Sequence, residues 1–230
     1  MRFEDASWTG MEERLHAGED RILLVLGATE EHADLSVCTD TLIPWEIASR
    51  AAKAENVPLA PAMPFGLSEW SMAYPGTISL RTSTLAAVLT DVVDSLLRTG
   101  FRSLFVINGH GVNRAVQPAF ERALDKQNVA KGVFVQWWEL PSVRALRDRH
   151  QLPANHAGAL ESFAFTRLMA KRSVLAHDQE MPDFNLSAAE IRAQLGTGHG
   201  PGPVNLPKGL DEEHVLEAAV DDVRNLLRDV

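Results

Sequence analysis

The sequence predicts an α/β protein with a mostly parallel β-sheet and helices packed on both faces. Three observations lead there. The short apolar runs Arg21 to Leu26, Phe101 to Ile107 and Val133 to Trp137 have the length and continuity of strands buried on both faces. Longer stretches carry apolar residues at helical spacing, most clearly Leu85, Val88, Leu89, Val92, Val93, Leu96 and Leu97. The two patterns alternate along the chain, without an internal repeat, a low-complexity tract or a linker. The 230 residues are therefore read as one domain, 1–230.

Taken in order, the strand Arg21 to Leu26 leads into a polar loop, Gly27 to Thr39. A helix is expected over Thr41 to Ala54, with Ile43, Ile47 and Ala51 on one side, and a second short strand over Val57 to Ala60. Pro61 to Gly76 is a loop rich in Pro, Gly, Met and aromatic residues, of a length that tends to be functional in compact domains. Thr77 to Leu80 reads as a small strand. Thr82 or Ser83 then caps the clearest helix, which Gly100 closes. After the second main strand, Asn113 to Lys126 reads as a helix with Pro118 in its early turns. Helices are expected over Val143 to Arg149, Gly158 to Ala170 and Ser187 to Leu195. Gly196 to Gly209 is a Gly/Pro loop. Asp211 to Leu227 is a closing amphipathic helix, with Val215, Leu216, Ala219, Val223, Leu226 and Leu227 facing inward.

Composition narrows the class. Hydrophobic residues make up 45% and charged residues 23%, as in ordinary globular proteins. A formal net charge of −9 argues against nucleic acid or an anionic membrane as partner, since either calls for a basic face. Cys38 is the single cysteine, so no disulfide forms within the chain, which fits a reducing compartment. Met1 to Asp20 lacks the apolar centre of a signal peptide, and no apolar run reaches the ~20 residues of a membrane span. A cytoplasmic protein is expected.

Strand ends carry the chemistry. In open α/β sheets ligands bind beyond the carboxyl ends of the strands. There the chain places Glu30-Glu31-His32 after one strand and Asn108-Gly109-His110 after another. On extended backbone, residues two apart share a side, so Glu30 and His32 can reach one metal or two adjacent ones; as a pair they can equally be solvated loop residues. Asp40 reads either as a helix cap or as a carboxylate bridging two metals. His110, between two glycines at a strand end, reads as a ligand. A phosphate cradle there lacks the following Lys-Ser or Lys-Thr, and a Rossmann reading lacks Gly-x-Gly-x-x-Gly after the first strand. His156 and Glu161 read either as a helix-start arrangement or as a proton shuttle and a ligand. Trp137 and Trp138, and Trp70 and Tyr74 in the Pro-rich loop, read as core or as a substrate wall. Cys38 is read as a small filler and His199 as a solvated loop residue. His16, His150, His177 and His214 are read as surface residues.

Four motifs in order then give a resemblance. Gly27-Ala28-Thr29-Glu30-Glu31-His32 followed by Asp40, Pro75 to Leu80 (Pro-Gly-Thr-Ile-Ser-Leu), Asn108 to Asn113 (Asn-Gly-His-Gly-Val-Asn) and His156 to Ser162 (His-Ala-Gly-Ala-Leu-Glu-Ser) resemble the creatininase (creatinine amidohydrolase) family. The resemblance implies a three-layer α/β sandwich, two divalent ions (Zn²⁺ or Mn²⁺), cleavage of amide-type C–N bonds and a homo-oligomer, often a hexamer. Carried across by position, Glu30, His32, Asp40 and His110 are metal ligands, with Asp40 as the bridge. Val112 stands where creatininase supplies a further Glu, which leaves Glu161 as the remaining ligand candidate, with a catalytic role as well. His156 matches the catalytic His. The His32–Asp40 loop is one residue shorter than the family pattern, and Ser71 stands where a His is frequent. Ser71, Val112, Trp137 and Trp138 are expected near substrate, and these departures point to a small-molecule amide or peptide end other than creatinine. They also leave open a family member that binds a small ligand or partner without catalysis.

Overall fold

The computed structural model describes residues 1–125, 131–168, 183, 185–196 and 198–229. Its centre is a parallel sheet of β1 (Arg21–Leu26), β2 (Ser103–Asn108) and β3 (Lys131–Gln136), hydrogen-bonded in that order. The register runs from Arg21↔Ser103↔Lys131 to Leu26↔Asn108↔Gln136, so all three strands end level.

Alternation along each strand divides the core in two. Leu23, Val25, Phe105 and Ile107 point to one side. There they meet α2 (Thr39–Ala54), α5 (Pro141–His150) and α7 (Glu212–Arg228), through Ile43, Ile47, Val143, Val215 and Val223 among others. Ile22, Leu24, Leu26, Leu104 and Val106 point to the other side. They pack on α3 (Thr82–Thr99), through Leu85, Leu89, Val93 and Leu97, and on α4 (Gln117–Asp125), through Phe120 and Leu124. This is a helix–sheet–helix sandwich.

Departures from the sequence reading have local causes. An N-terminal helix, α1 (Trp8–His16), was not legible: it buries no residue fully and offers only Met11 and Leu15 to the core. Val57 to Ala60 is extended but makes only single bridges, Leu59 to Leu23 and to Arg2, because Pro58 and Pro61 have no N–H to continue a ladder. Thr77 to Leu80 is likewise reduced to bridges, Ile78 with Thr29 and Ser79 with Gly66. The expected helix from Asn113 is a 3₁₀ segment, Gly111–Val116, that runs into α4 with Pro118 in the first turn, where no N–H is needed; Lys126 lies outside the described residues.

The expected helix Gly158 to Ala170 is replaced by one 3₁₀ turn, Ala159–Glu161. The Ser162 hydroxyl donates to the Gly158 carbonyl (2.9 Å) and Thr166 Oγ1 to the Glu161 carbonyl (2.6 Å), taking acceptors that a helix would use. Ala170 itself lies outside the described residues. The helix expected at Ser187 to Leu195 is α6 (Ala188–Leu195), opened by a capping box between Ser187 and Glu190.

Candidate metal centre

The level strand ends bring three connections together. The segment after β1 carries Glu30, Glu31 and His32, all buried, and its N–H at Glu30 donates to the Val37 carbonyl (2.8 Å). That bond closes the shortened loop tightly and delivers Asp40 into the same space. Asp40 is the second residue of α2 but caps nothing. Its Oδ1 lies 3.0 Å from His32 Nε2 and its Oδ2 2.9 Å from His110 Nδ1. Pro44, one turn on, leaves the Asp40 carbonyl without a helical partner, and Gly109 packs there: a Cβ on Gly109 would stand 1.9 Å from that oxygen.

Around this pair the remaining groups close in. His110 Nδ1 is 3.4 Å from Glu30 Oε1, His156 Nδ1 is 3.5 Å from the same oxygen, and His32 Nε2 is 3.8 Å from Glu161 Oε2. Three overlapping sets have ligand atoms close enough to hold an ion: Glu30, Asp40 and His110; His32, Asp40 and Glu161; and Glu30, His32 and His156. Asp40 belongs to the first two, one oxygen toward each imidazole.

The three imidazoles share one arrangement. A carbonyl oxygen only accepts, so the nitrogen facing it carries the proton. His32 Nδ1 donates to the Glu30 carbonyl (3.1 Å), His110 Nε2 to that of Leu67 (3.0 Å) and His156 Nε2 to that of Glu31 (2.7 Å). Each second nitrogen faces the carboxylates. This is the backbone support that orients metal-binding histidines. Neither Glu30 oxygen, both buried, accepts a hydrogen bond among the described residues. A buried, unsatisfied carboxylate beside the second nitrogens of these imidazoles is a donor set suited to a divalent cation.

The same carboxylates govern how readily the imidazoles hold protons. Burial pulls His32 and His110 down, but Asp40 next to His32, and Glu30 and Asp40 next to His110, more than offset it. His32 ends well above its ordinary value and His110 is pushed up to about 9. Burial raises Asp40, yet His32 and His110 hold it below the usual carboxylate range. Burial, reinforced by Asp40, raises Glu161. Its Oε2 accepts from the Ala157 N–H at 2.5 Å.

A cavity of about 150 Å³ opens beside these groups, lined by Glu30, Asp40, His110, His156 and Glu161, with Trp70, Val112, Trp137, Trp138 and Leu160 as apolar walls. Trp137 is also core, packed against Phe163, whereas Trp138 is only half-buried. Ser71 is fully buried, donates to the Ser68 carbonyl (3.1 Å) and does not line the cavity. Tyr74 lies outside it too, its hydroxyl on the Gly196 carbonyl. Cys38 is half-buried, at the residue preceding α2. His16 and His214 are exposed and His150 is half-buried; His177 lies outside the described residues.

Two residues of this neighbourhood were missed. The Glu31 carboxylate accepts from the N–H groups of Ala33 (2.5 Å) and His199 (3.1 and 3.2 Å), and His156 holds it acidic against the opposing effect of burial. His199 is 3% exposed, not solvated, and burial together with His156 lowers it to about 4. A signal was present: Gly198-His199-Gly200 repeats the Gly-His-Gly pattern of 109–111.

Fold and site together define an α/β sandwich with a buried carboxylate–imidazole cluster able to hold metal at the carboxyl end of its sheet. The family model for creatininase, described as creatinine amidohydrolase, matches residues 4–212, and the chain belongs to that family. It is 30% identical over 115 residues to the creatinine amidohydrolase of Pseudomonas putida, covering 47% of this chain and 44% of that protein. It is 30% identical over 120 residues to the mycofactocin precursor peptide peptidase of Mycolicibacterium smegmatis, covering 49% and 48%. The chain thus spans about half the length of the curated relatives it matches. A crystal structure of creatinine amidohydrolase superposes with a TM-score of 0.80 at 22% identity, over 99% of this chain and 96% of that one. A manganese creatininase (TM-score 0.77) and a creatininase mutant of Zn-Zn type (0.78) superpose as well, each at 22% identity over 99% of this chain and 97% of the other. At that identity these likenesses establish the fold.

Proposed function

We propose that this protein is a metal-dependent amidohydrolase that cleaves a C–N bond of a small amide or a peptide end with an activated water. The observation that carries this reading is the shared orientation of His32, His110 and His156. Each gives one N–H to a backbone carbonyl and turns its other nitrogen to carboxylates, among which Glu30 has no other partner. Glu30, Asp40 and His110 would hold one cation and His32, Asp40 and Glu161 the other, with Asp40 between them. The manganese and Zn-Zn creatininase forms support Mn²⁺ or Zn²⁺ as the ion. When bound, such ions polarise a carbonyl and lower the pKa of water toward neutrality, supplying hydroxide near pH 7.

The chain's own groups do the rest. His156 has Nε2–H committed to the Glu31 carbonyl, so Nδ1 is the nitrogen that would take a proton from the attacking water and pass it to the departing amine as the C–N bond breaks. Glu161, whose carboxyl is raised by burial and by Asp40, would serve as a ligand to the second cation. Trp70, Trp137, Trp138 and Val112 exclude bulk water and present flat apolar surface to the part of the substrate that does not react. The creatinine amidohydrolase and peptide peptidase relatives support an amide-type substrate. Among the described residues no helix is long and apolar enough to cross a membrane. Oligomerisation, read from the family resemblance, is tested by light scattering.

The test combines metal analysis with turnover. Protein expressed with added Zn²⁺ or Mn²⁺ should contain about two ions per chain and hydrolyse at least one amide of a panel of lactams, formamides and short peptides. Glu30→Gln and His110→Ala should lose metal and turnover together. Full metal content and activity in both variants would overturn the assignment.

A further inference from the structure

Three aromatic rings pack around the His156 imidazole, whose side chain is 11% exposed. His32 lies against one face (ring centroids 4.1 Å apart). His199 stacks on it, centroids 5.0 Å apart and planes within 12°. Trp70 stands edge-on to both His156 and His199, at 5.2 and 5.3 Å. His156 lines the cavity and His199 does not. His199 therefore reaches the site only through the rings of His156 and Trp70.

The turn that carries His199 is built for close approach. Its N–H donates to both oxygens of the Glu31 carboxylate. Gly198 and Gly200 flank it: a Cβ on Gly198 would lie 2.6 Å from Glu31 Oε1, and one on Gly200 2.0 Å from the His156 carbonyl oxygen. Gly200 also has φ +92, a conformation that side chains resist. His199 Nδ1 is buried with no hydrogen-bond partner among the described residues. The contact with His156 is made by the ring's flat face, not by Nδ1.

We propose that His199 is a positioning residue: stacked on His156, it fixes the imidazole plane so that Nδ1 stays turned to Glu30 and the cavity while Nε2–H stays on the Glu31 carbonyl. The consequence for turnover rests on the hydrolase reading above; the effect on the His156 ring does not.

The experiment uses the metal-loaded protein with His199→Ala, His199→Leu and His199→Phe. Carbethoxylation of His156 by diethyl pyrocarbonate, followed by mass spectrometry, reports ring freedom without a substrate. Freeing the ring should raise its rate by roughly tenfold in the Ala and Leu variants and leave it near wild type in Phe. On whichever amide turns over, kcat should fall ~10–100-fold in Ala and Leu with KM little changed, and Phe should restore it. Metal content should be the same in all. The Leu–Phe pair carries the comparison if the Ala variant does not fold. Unaltered His156 reactivity in Leu, or a Phe variant as impaired as Leu, would overturn the proposal. A wild type that hydrolyses nothing would instead overturn the hydrolase reading, and the carbethoxylation result would still decide the role of His199.

Discussion

Asn113 and Asn108 are joined amide to amide, Asn113 Nδ2 donating to Asn108 Oδ1 at 3.2 Å. Asn113 also donates to the Gly27 carbonyl (3.0 Å) and accepts from the Leu67 N–H (3.0 Å), while Asn108 donates to the His110 carbonyl (2.6 Å) and to Gln136 Oε1 (3.1 Å). The two asparagines of the Asn-Gly-His-Gly-Val-Asn run thus tie the exits of β1, β2 and β3 to the loop whose Leu67 carbonyl holds His110. They orient the candidate ligands without belonging to any of the three sets.

Asn113→Asp follows from this knot. It keeps the shape but replaces the donor to Gly27 with a buried acceptor. The expected cost is ~1–3 kcal/mol, read as a lower urea midpoint, with weaker Zn²⁺ retention during dialysis.

Gly109→Ala should be worse than its size suggests. The added methyl meets the Asp40 carbonyl oxygen at 1.9 Å and Pro44 Cγ at 2.7 Å. Neither can swing aside, so α2 must shift or the variant must unfold. A loss of at least ~1–3 kcal/mol is expected, together with reduced metal content by elemental analysis.

Asp40→Asn and Glu161→Gln should separate the two candidate ions. Asp40 belongs to two of the three candidate sets, those proposed for the two ions, and Glu161 to one of them. Elemental analysis should find the Asn variant nearly metal-free and the Gln variant close to one ion per chain. Equal losses would show that the sets are not organised around Asp40.

The metal-free protein should respond to alkali in a defined direction. His110 sits at about 9 in the fold, above the ~6.5 of an unfolded histidine. Its contribution to stability is therefore complete below ~6.5 and lost as pH rises through about 9. Urea midpoints of protein treated with a chelator should fall across that window. Adding Zn²⁺ at neutral pH should release protons, since the imidazoles must shed them to bind, and a dilute pH indicator would record this.

Trp137 and Trp138 should behave differently. Trp137 is 1% exposed and packs on Phe163, so Trp137→Ala should cost ~3–5 kcal/mol by denaturant melt. Trp138 is half-buried at the edge of the same core, and Trp138→Ala should lower the melt less than Trp137→Ala while raising KM for a turned-over amide.

Much of this was legible in the sequence. Three continuous apolar runs marked β1, β2 and β3, and the helical spacing of Leu85, Leu89, Val93 and Leu97 marked α3 and its buried side. The i, i+2 relation of Glu30 and His32 survives in the fold, as does the placing of His110 between glycines. The roles of Glu31 and His199 were hidden because each depends on the other across 168 positions. Nothing near Glu31 announces a turn that arrives from so far along the chain. The helix expected after Gly158 failed for a local reason: Ser162 and Thr166 compete for the carbonyls, and periodicity does not register such competition.

The flush termination of β1, β2 and β3 carries an evolutionary corollary. Candidate metal-binding groups and wall groups leave the sheet on connections that are partly separate: Trp70 and Trp138 each come from a segment that contributes no carboxylate to the cavity. Descendants of such a scaffold can exchange what they recognise by rewriting those excursions while the carboxylate–imidazole cluster stays fixed. A mutational scan should therefore record tolerance at the wall positions and intolerance at Glu30, Asp40 and His110.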